Sequence, residues 1–206
     1  MSSPWSIDIV VEGDVDEAVV CRVCDHVGVP VAAVYGKRGK DHIIDRLHNY
    51  NQAANFSPWL VVVDLDHDSD CAPDFVKAKL GTPSHGMCFR IAVRAIESWL
   101  LADAEQLAAF LHTRPTRFPT NPDHENDPKL TLIQLARRST RKAIRNDMVP
   151  RTGSGRQVGI GYVGLITEFV TEKDVGWRPE VAMEHSDSLR RCIEALHTLK
   201  NWKPTE

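Results

Sequence analysis

The run Trp59-Leu60-Val61-Val62-Val63-Asp64-Leu65-Asp66 decides how this chain is read. Five apolar residues in succession, three of them valine, suit a strand covered on both faces, and such strands belong to parallel sheets packed between helices. Asp64 ends the run abruptly. Toward the N-terminus, Asp41 to Ala54 carries Ile43, Ile44, Leu47 and Tyr50 at helical spacing. Pro30 to Tyr35 is a second apolar run, closed by Gly36-Lys37-Arg38-Gly39-Lys40. Asp14 to Val27 reads as a helix with Val19, Val20, Val23, Cys24 and Val27 on one face, and Asp14 is its expected N-cap. Ser6 to Val11 is a first strand, broken by Gly13. Strand, helix, strand, helix and strand with short connections predict an α/β fold, a mostly parallel sheet flanked by helices.

Toward the C-terminus, Met87 to Val93 reads as a fourth strand. Ala95 to Leu111 reads as one helix through Ile96, Leu100, Leu107 and Phe110. A loop rich in Pro, Thr, Asn and Asp runs from Arg114 to Pro128. Beyond it come helical segments at Leu130 to Ile144, Leu165 to Thr171 and Ser188 to Leu199, with a glycine-rich stretch from Gly153 to Gly164. The expected organisation is an α/β half over residues 1–112 and a C-terminal helical extension over 113–206, packed on it as one structural unit.

The 206 residues carry a net charge of −3, with 42% hydrophobic and 26% charged residues. That is ordinary for a globular protein and argues against coating nucleic acid by bulk charge, though not against a local basic face. No run reaches the length of a membrane span. Met1-Ser2-Ser3-Pro4-Trp5 lacks the basic and apolar regions of a secretion signal, and five scattered cysteines fit reduced thiols. The expected location is cytoplasmic.

Two acidic clusters follow buried strands: Glu12-Gly13-Asp14-Val15-Asp16-Glu17 after the first and Asp64-Leu65-Asp66-His67-Asp68-Ser69-Asp70 after the third. First and third strands can be neighbours in a parallel sheet, which would put both clusters at the edge where open α/β sheets bind ligands. Converging carboxylates repel one another, and a hard divalent ion such as Mg²⁺ or Mn²⁺ removes that repulsion. If the chain stays extended, Asp64, Asp66 and Asp68 point together. Glu97, just after the fourth strand, is a further candidate ligand; as a plain acid on a first helical turn it would be explained by the helix dipole alone. An EF-hand loop does not fit, since Ser69 and Val76 stand where Gly and Glu are needed.

Candidate phosphate contacts are Lys37, Arg38, Lys40 and Arg94, although the Gly36–Lys40 loop lacks P-loop spacing and is equally readable as a solvated turn. The one dense basic run, Arg137, Arg138, Arg141, Lys142 and Arg145, continues through Arg151 and Arg156 beside Gly153 and Gly155. It is a candidate nucleic-acid contact, against the plainer reading of a solvated helix face. Cys21-x-x-Cys24 falls within a helix with no second pair, His85 and Cys88 form a lone pair, and His67 points away from its acidic neighbours under alternation. The five tryptophans read as packing residues, and no Gly-x-Ser-x-Gly turn is present.

Val10-Val11-Glu12-Gly13 with Asp16, followed by Val62-Val63-Asp64-Leu65-Asp66, resembles the Toprim domain, the metal-binding α/β module of topoisomerases, bacterial primases and OLD-type nucleases. The phrase Ala95-Ile96-Glu97-Ser98-Trp99-Leu100-Leu101-Ala102-Asp103, with Asp70-Cys71, Trp177-Arg178-Pro179-Glu180 and Ser186-Asp187-Ser188-Leu189, looks closer still to a bacterial Toprim-like family found near ATPases in defence loci. The resemblance implies a Toprim/Rossmann-like fold and makes Asp64 and Asp66 metal ligands. It makes Glu12 a ligand or general acid/base and Asp16 a further acid of the site. It implies metal-dependent phosphodiester hydrolysis of DNA or RNA, with a partner ATPase. The rival expectations are a non-catalytic Toprim-like module that binds a partner or a nucleotide, and a phosphohydrolase or nucleotidyl-transferring enzyme acting on small phosphates.

Overall fold

A computed structural model describes residues 6–202; the pentapeptide Met1–Trp5 lies outside them. Four strands form one sheet, β1 (Ile7–Val11), β2 (Val31–Gly36), β3 (Trp59–Asp64) and β4 (Met87–Ala92), in the order β2-β1-β3-β4 and all parallel. The expected parallel α/β sheet is therefore present, and the first and third strands are neighbours. The chain steps from β1 to β2 on one side and then returns to place β3 on the other. That reversal opens a crevice beyond the carboxyl ends of β1 and β3.

Alternation along the strands sorts the two faces. On one face Ile7, Ile9, Val11, Leu60, Val62 and Cys88 join a cluster with α1 (Asp14–Val27) and the C-terminal helices. On the other, Val10, Val61, Val63, Phe89 and Ile91 meet Ile43 and Leu47 of α2 (Lys40–Ala53) and Phe75 of α3 (Ala72–Leu80). All six residues of β3 are buried, as its unbroken apolar run requires.

The first face is covered largely by the second half of the chain. After β4 come α4 (Glu97–Leu101), α5 (Ala104–Phe110), two 3₁₀ turns at Pro115–Arg117 and Pro122–His124, α6 (Pro128–Arg137), α7 (Lys142–Met148), α8 (Tyr162–Thr171), α9 (Pro179–Ala182) and α10 (Asp187–Leu199). Helix α8 packs on α1, and α10 packs on both α1 and β4. Leu132, Ile166, Phe169, Leu189, Ile193 and Leu196 lie in the same buried cluster as β1 and β3.

Several local expectations change. The single helix over Ala95 to Leu111 is two, because Asp103 leaves helical dihedrals (φ −95°, ψ 68°) to cap α5, its carboxylate accepting from Gln106 N–H. The segment Leu130 to Ile144 likewise breaks between α6 and α7, where the Ser139 hydroxyl accepts from Arg141 N–H. Asp14 does not cap α1: extended Gly13 holds that position, and the Asp14 carboxylate pairs with Lys37 instead. Helices α3 and α9 were not expected. Gly36 (φ 91°) ends β2 where a Cβ would stand 2.4 Å from the Val11 carbonyl oxygen, so no larger residue fits there without moving β1.

Candidate metal centre

Regular pairing between β1 and β3 stops at Val10 with Val61, and the two strand ends are then joined by a side chain. Glu12 Oε1 accepts a hydrogen bond from Asp64 N–H at 2.7 Å, continuing the ladder one step beyond the backbone. Asp64 Oδ1 in turn accepts from Ile96 N–H at 2.8 Å, which draws the start of α4 onto the end of β3. That leaves the next residue, Glu97, 1% exposed. Glu97 Oε1 accepts from the Tyr162 hydroxyl at 2.8 Å and pairs with Lys129 Nζ at 3.4 Å. Asp16, on the first turn of α1, is 8% exposed.

Glu12, Asp16, Asp64 and Glu97 thus come together from β1, α1, β3 and α4, and their charges act on one another. Burial first, then the charges of Glu97 and Glu12, push Asp16 up to about 7. Burial, followed by Asp16, Glu97 and Glu12, raises Asp64 well above the usual carboxylate range. Burial also raises Glu12, against the pull of the Asp64 amide and Lys40. Among the described residues, two carboxylate oxygens, Asp16 Oδ1 and Glu97 Oε2, are buried with no hydrogen-bond partner. Such orphaned acceptors are costly and call for an explanation. A cation supplies one: the donors are all oxygen, the set suited to Mg²⁺ or Mn²⁺. Among the described residues no three such groups close into a ready-made cage.

Asp66 and Asp68 stand differently. Extended chain ends at Leu65, and Asp66 adopts φ 48°, so the alternation that would align Asp64, Asp66 and Asp68 is lost. Both outer acids are exposed and bind Lys40 Nζ, at 2.5 and 2.7 Å, while the same ammonium donates to the Asp64 carbonyl oxygen at 3.1 Å. Asp66 remains close enough for its charge to raise Glu12.

Of the cations expected at a phosphate, Lys37, Lys40 and Arg94 have protein partners, and Arg38 is exposed. Lys37 pairs with Asp14 and Glu17, both at 2.7 Å. Lys40 is held as described. Arg94 Nη1 donates to the carbonyl oxygens of Asp66 (2.8 Å) and Ser69 (3.1 Å), bracing the loop after β3. In the basic run, Arg137 and Arg138 end α6, Arg141 and Lys142 begin α7, and Arg151 and Arg156 lie in the loop that follows; all six are exposed. Arg145 is half-buried and donates to the Ser139 carbonyl oxygen. The cations that act most on Glu12, Asp16 and Asp64 are Lys129 and Lys40, not this run.

Lys129 and Tyr162 are site residues that sequence reasoning missed. Asp127-Pro128 marks a helix start and could have placed Lys129 on its first turn, with the Asp127 carboxylate accepting from Leu130 N–H. Nothing local ties either residue to Glu97.

The motif phrases after β4 also acquire partners. Trp99 Nε1 donates to the Ser188 hydroxyl at 2.7 Å, and Trp177 Nε1 donates to the Trp99 carbonyl oxygen at 3.1 Å. Asp123 accepts from the Ser186 hydroxyl and from Ser188 N–H. Arg178 forms a bidentate pair with fully buried Asp103, at 2.9 and 2.7 Å. These bonds fasten the short helix bearing Glu97 to the C-terminal half. Among the described residues the pairs Cys21/Cys24 and His85/Cys88 join no ligand set, and all five cysteines are free.

Fold and site together define an α/β protein with a buried carboxylate cluster at the switch point of a parallel sheet. No family model matches the chain, and comparison with curated proteins and with solved structures gives no match either. No described helix is long and apolar enough to cross a membrane.

Proposed function

We propose that the protein is a metal-dependent phosphodiesterase of the Toprim-like nuclease type, acting on a nucleic acid. The observation that carries this reading is the pair of orphaned buried oxygens, on Asp16 and Glu97, within a cluster of four carboxylates at the β1/β3 crevice. Glu12, Asp16, Asp64 and Glu97 would hold Mg²⁺ or Mn²⁺, with Asp66 and Asp68 at the rim on Lys40. The bound ion would supply Lewis-acid polarisation of the phosphoryl group. Glu12, raised by burial and fixed through one oxygen to the Asp64 amide, would serve with its other oxygen either as a ligand of that ion or as the base that orients and deprotonates the attacking water. Lys129 holds a positive charge beside the acids, where partial burial makes it count for more than it would in bulk solvent. The exposed Arg137, Arg138, Arg141, Arg151 and Arg156 suit sequence-independent contact with a phosphate backbone.

The test is cleavage of plasmid DNA, single-stranded DNA and structured RNA with Mg²⁺ or Mn²⁺, comparing wild type with Asp64→Ala. Cutting of at least one substrate that falls by roughly 10² or more in the variant is the expected result. A second reading, a non-catalytic module that binds a partner or nucleotide, is favoured by the protein partners that occupy Lys37, Lys40 and Arg94. Metal binding without cutting of any substrate would select it. Cutting only when an ATPase is added would point to the partner that the sequence resemblance implies.

A further inference from the structure

Strand β4 lies at the edge of the sheet, and its outer side meets no other strand among the described residues. Trp59 and Leu65 N–H donate to the Gly86 and Ala92 carbonyl oxygens, both at 2.9 Å, so the even-numbered residues of β4 turn their backbone groups toward β3. Those of Met87, Phe89 and Ile91 turn outward. Met87 N–H donates to the Ser84 carbonyl oxygen, but among the described residues no other backbone bonds the N–H or C=O of Phe89 and Ile91.

Two hollows run along this edge. One, of about 600 Å³, is lined by Phe89, Arg90, Ile91 and Val93, and the other, of about 440 Å³, by Met87, Cys88, Phe89 and Arg90. Successive residues point to opposite faces of a sheet, so hollows lined by successive residues follow the edge of the strand and not one face. Val76 of α3 and Arg191, Ala195 and Leu199 of α10 supply the walls. The hollows meet at Phe89 and Arg90 and together are as long as the strand.

Arg90 stands at their junction. It is half-buried, its Nε has no hydrogen-bond partner, and no acid pairs with its guanidinium among the described residues. The acids nearby are engaged or at the rim: Asp187 pairs with Arg190 and Arg191, Asp123 accepts from Ser186 and Ser188, and Asp70 is exposed. Exposed Lys77 and Arg191 add positive charge to the larger hollow. A half-buried guanidinium without an anion favours a carboxylate, which it binds through charge-assisted hydrogen bonds.

We propose that this groove docks an extended segment of a partner protein, which adds as a fifth strand beside β4, bonds the open groups of Phe89 and Ile91, and sets an acidic side chain on Arg90. A second copy of β4 fits less well. In the antiparallel register that uses both Phe89 and Ile91, Arg90 would lie opposite its own counterpart, and like charges directly opposed destabilise a sheet. Neither hollow is lined by Glu12, Asp16, Asp64 or Glu97, so docking here stands apart from the metal-centre reading.

The test is selection of random peptides displayed on phage against the full chain, followed by amide hydrogen exchange and by binding of an enriched peptide to wild type and Arg90→Gln. The enriched peptides should carry an Asp or Glu among alternating β-branched or aromatic residues. Binding should slow exchange at Phe89 and Ile91 N–H, and affinity should fall by about tenfold or more in Arg90→Gln. Peptides without an acid, slowing confined to other elements, or equal affinity for Arg90→Gln overturn the proposal. No enrichment overturns it too and makes Arg90 a guard against edge pairing. Slowing of the same two amides on raising protein concentration alone, with a dimer in sedimentation, overturns it in favour of a second copy. Exchange is read on wild type, so the proposal stays falsifiable even if Arg90→Gln does not fold.

Discussion

Asp16 keeps one carboxylate oxygen buried and unpartnered, and burial with the neighbouring acids raises its pKa to about 7. Between the ordinary carboxylate value and that figure, the unfolded chain has released a proton that the folded chain retains. The folded state therefore binds more protons, and stability falls as pH rises through this window. The metal-free protein is expected to melt at a lower temperature at about pH 8 than at about pH 5. Asp16→Asn should flatten that decline and gain roughly 1–3 kcal/mol at the higher pH; an unchanged slope in thermal melts would show that Asp16 is not the group responsible. On the proposed metal-centre reading, Mn²⁺ would displace protons held by Asp16 and Asp64, so binding near neutral pH should release protons. Calorimetry in two buffers of different ionisation enthalpy measures this directly. Tyr162→Phe removes the hydroxyl donor from Glu97 Oε1 and should cost roughly 1–3 kcal/mol, read from denaturant midpoints.

At the scale of elements, the junction between α4 and α5 shows how a polar residue overrides periodicity. Ile96, Leu100, Leu107 and Phe110 keep helical spacing, yet the helix stops because Asp103 both caps α5 and receives the Arg178 guanidinium. Asp103 is fully buried, and Arg178 precedes α9, so one bidentate pair ties two elements 75 residues apart. Arg178→Met would leave that carboxylate buried without its partner, and the expected loss is about 3–5 kcal/mol. Mn²⁺ affinity, measured on the fraction still folded, should change little, because the pair lies outside the carboxylate cluster. A variant as stable as wild type would mean that Asp103 finds other donors.

Across the whole molecule, one buried cluster runs from β1 and β3 through α1 to α6, α8 and α10. Removing residues 113–206 would expose Ile7, Ile9, Leu60 and Val62 together with the inner face of α1. A fragment of residues 1–112 is therefore expected not to fold cooperatively, and the full chain to unfold in a single transition. Coincident melting by far-ultraviolet circular dichroism and by fluorescence of buried Trp99 and Trp177 would establish this, whereas two separated transitions would mean two independent units. The same dependence extends to the site, since Lys129 and Tyr162 both come from the second half.

The sequence by itself determined the parallel α/β layout, because apolar runs of strand length alternate with helical stripes and each carries its period within a few residues. It also marked Glu12, Asp16, Asp64 and Glu97, each of which directly follows a strand or opens a helix. Helix α3 escaped it, since only Phe75 of that short segment is buried and the stripe is too weak to see. Only the tertiary structure decided which acids converge. Asp66 and Asp68 turn out to Lys40 because the backbone leaves the extended region at Asp66, while Glu97 turns in because the Ile96 amide is bound by Asp64, 32 residues away. It also decided that Lys129 and Tyr162 reach Glu97. A local pattern fixes the direction of a strand or the face of a helix, but the meeting of a carboxylate with its donor across 32 or 65 residues depends on how separate elements pack, and no spacing along the chain encodes it.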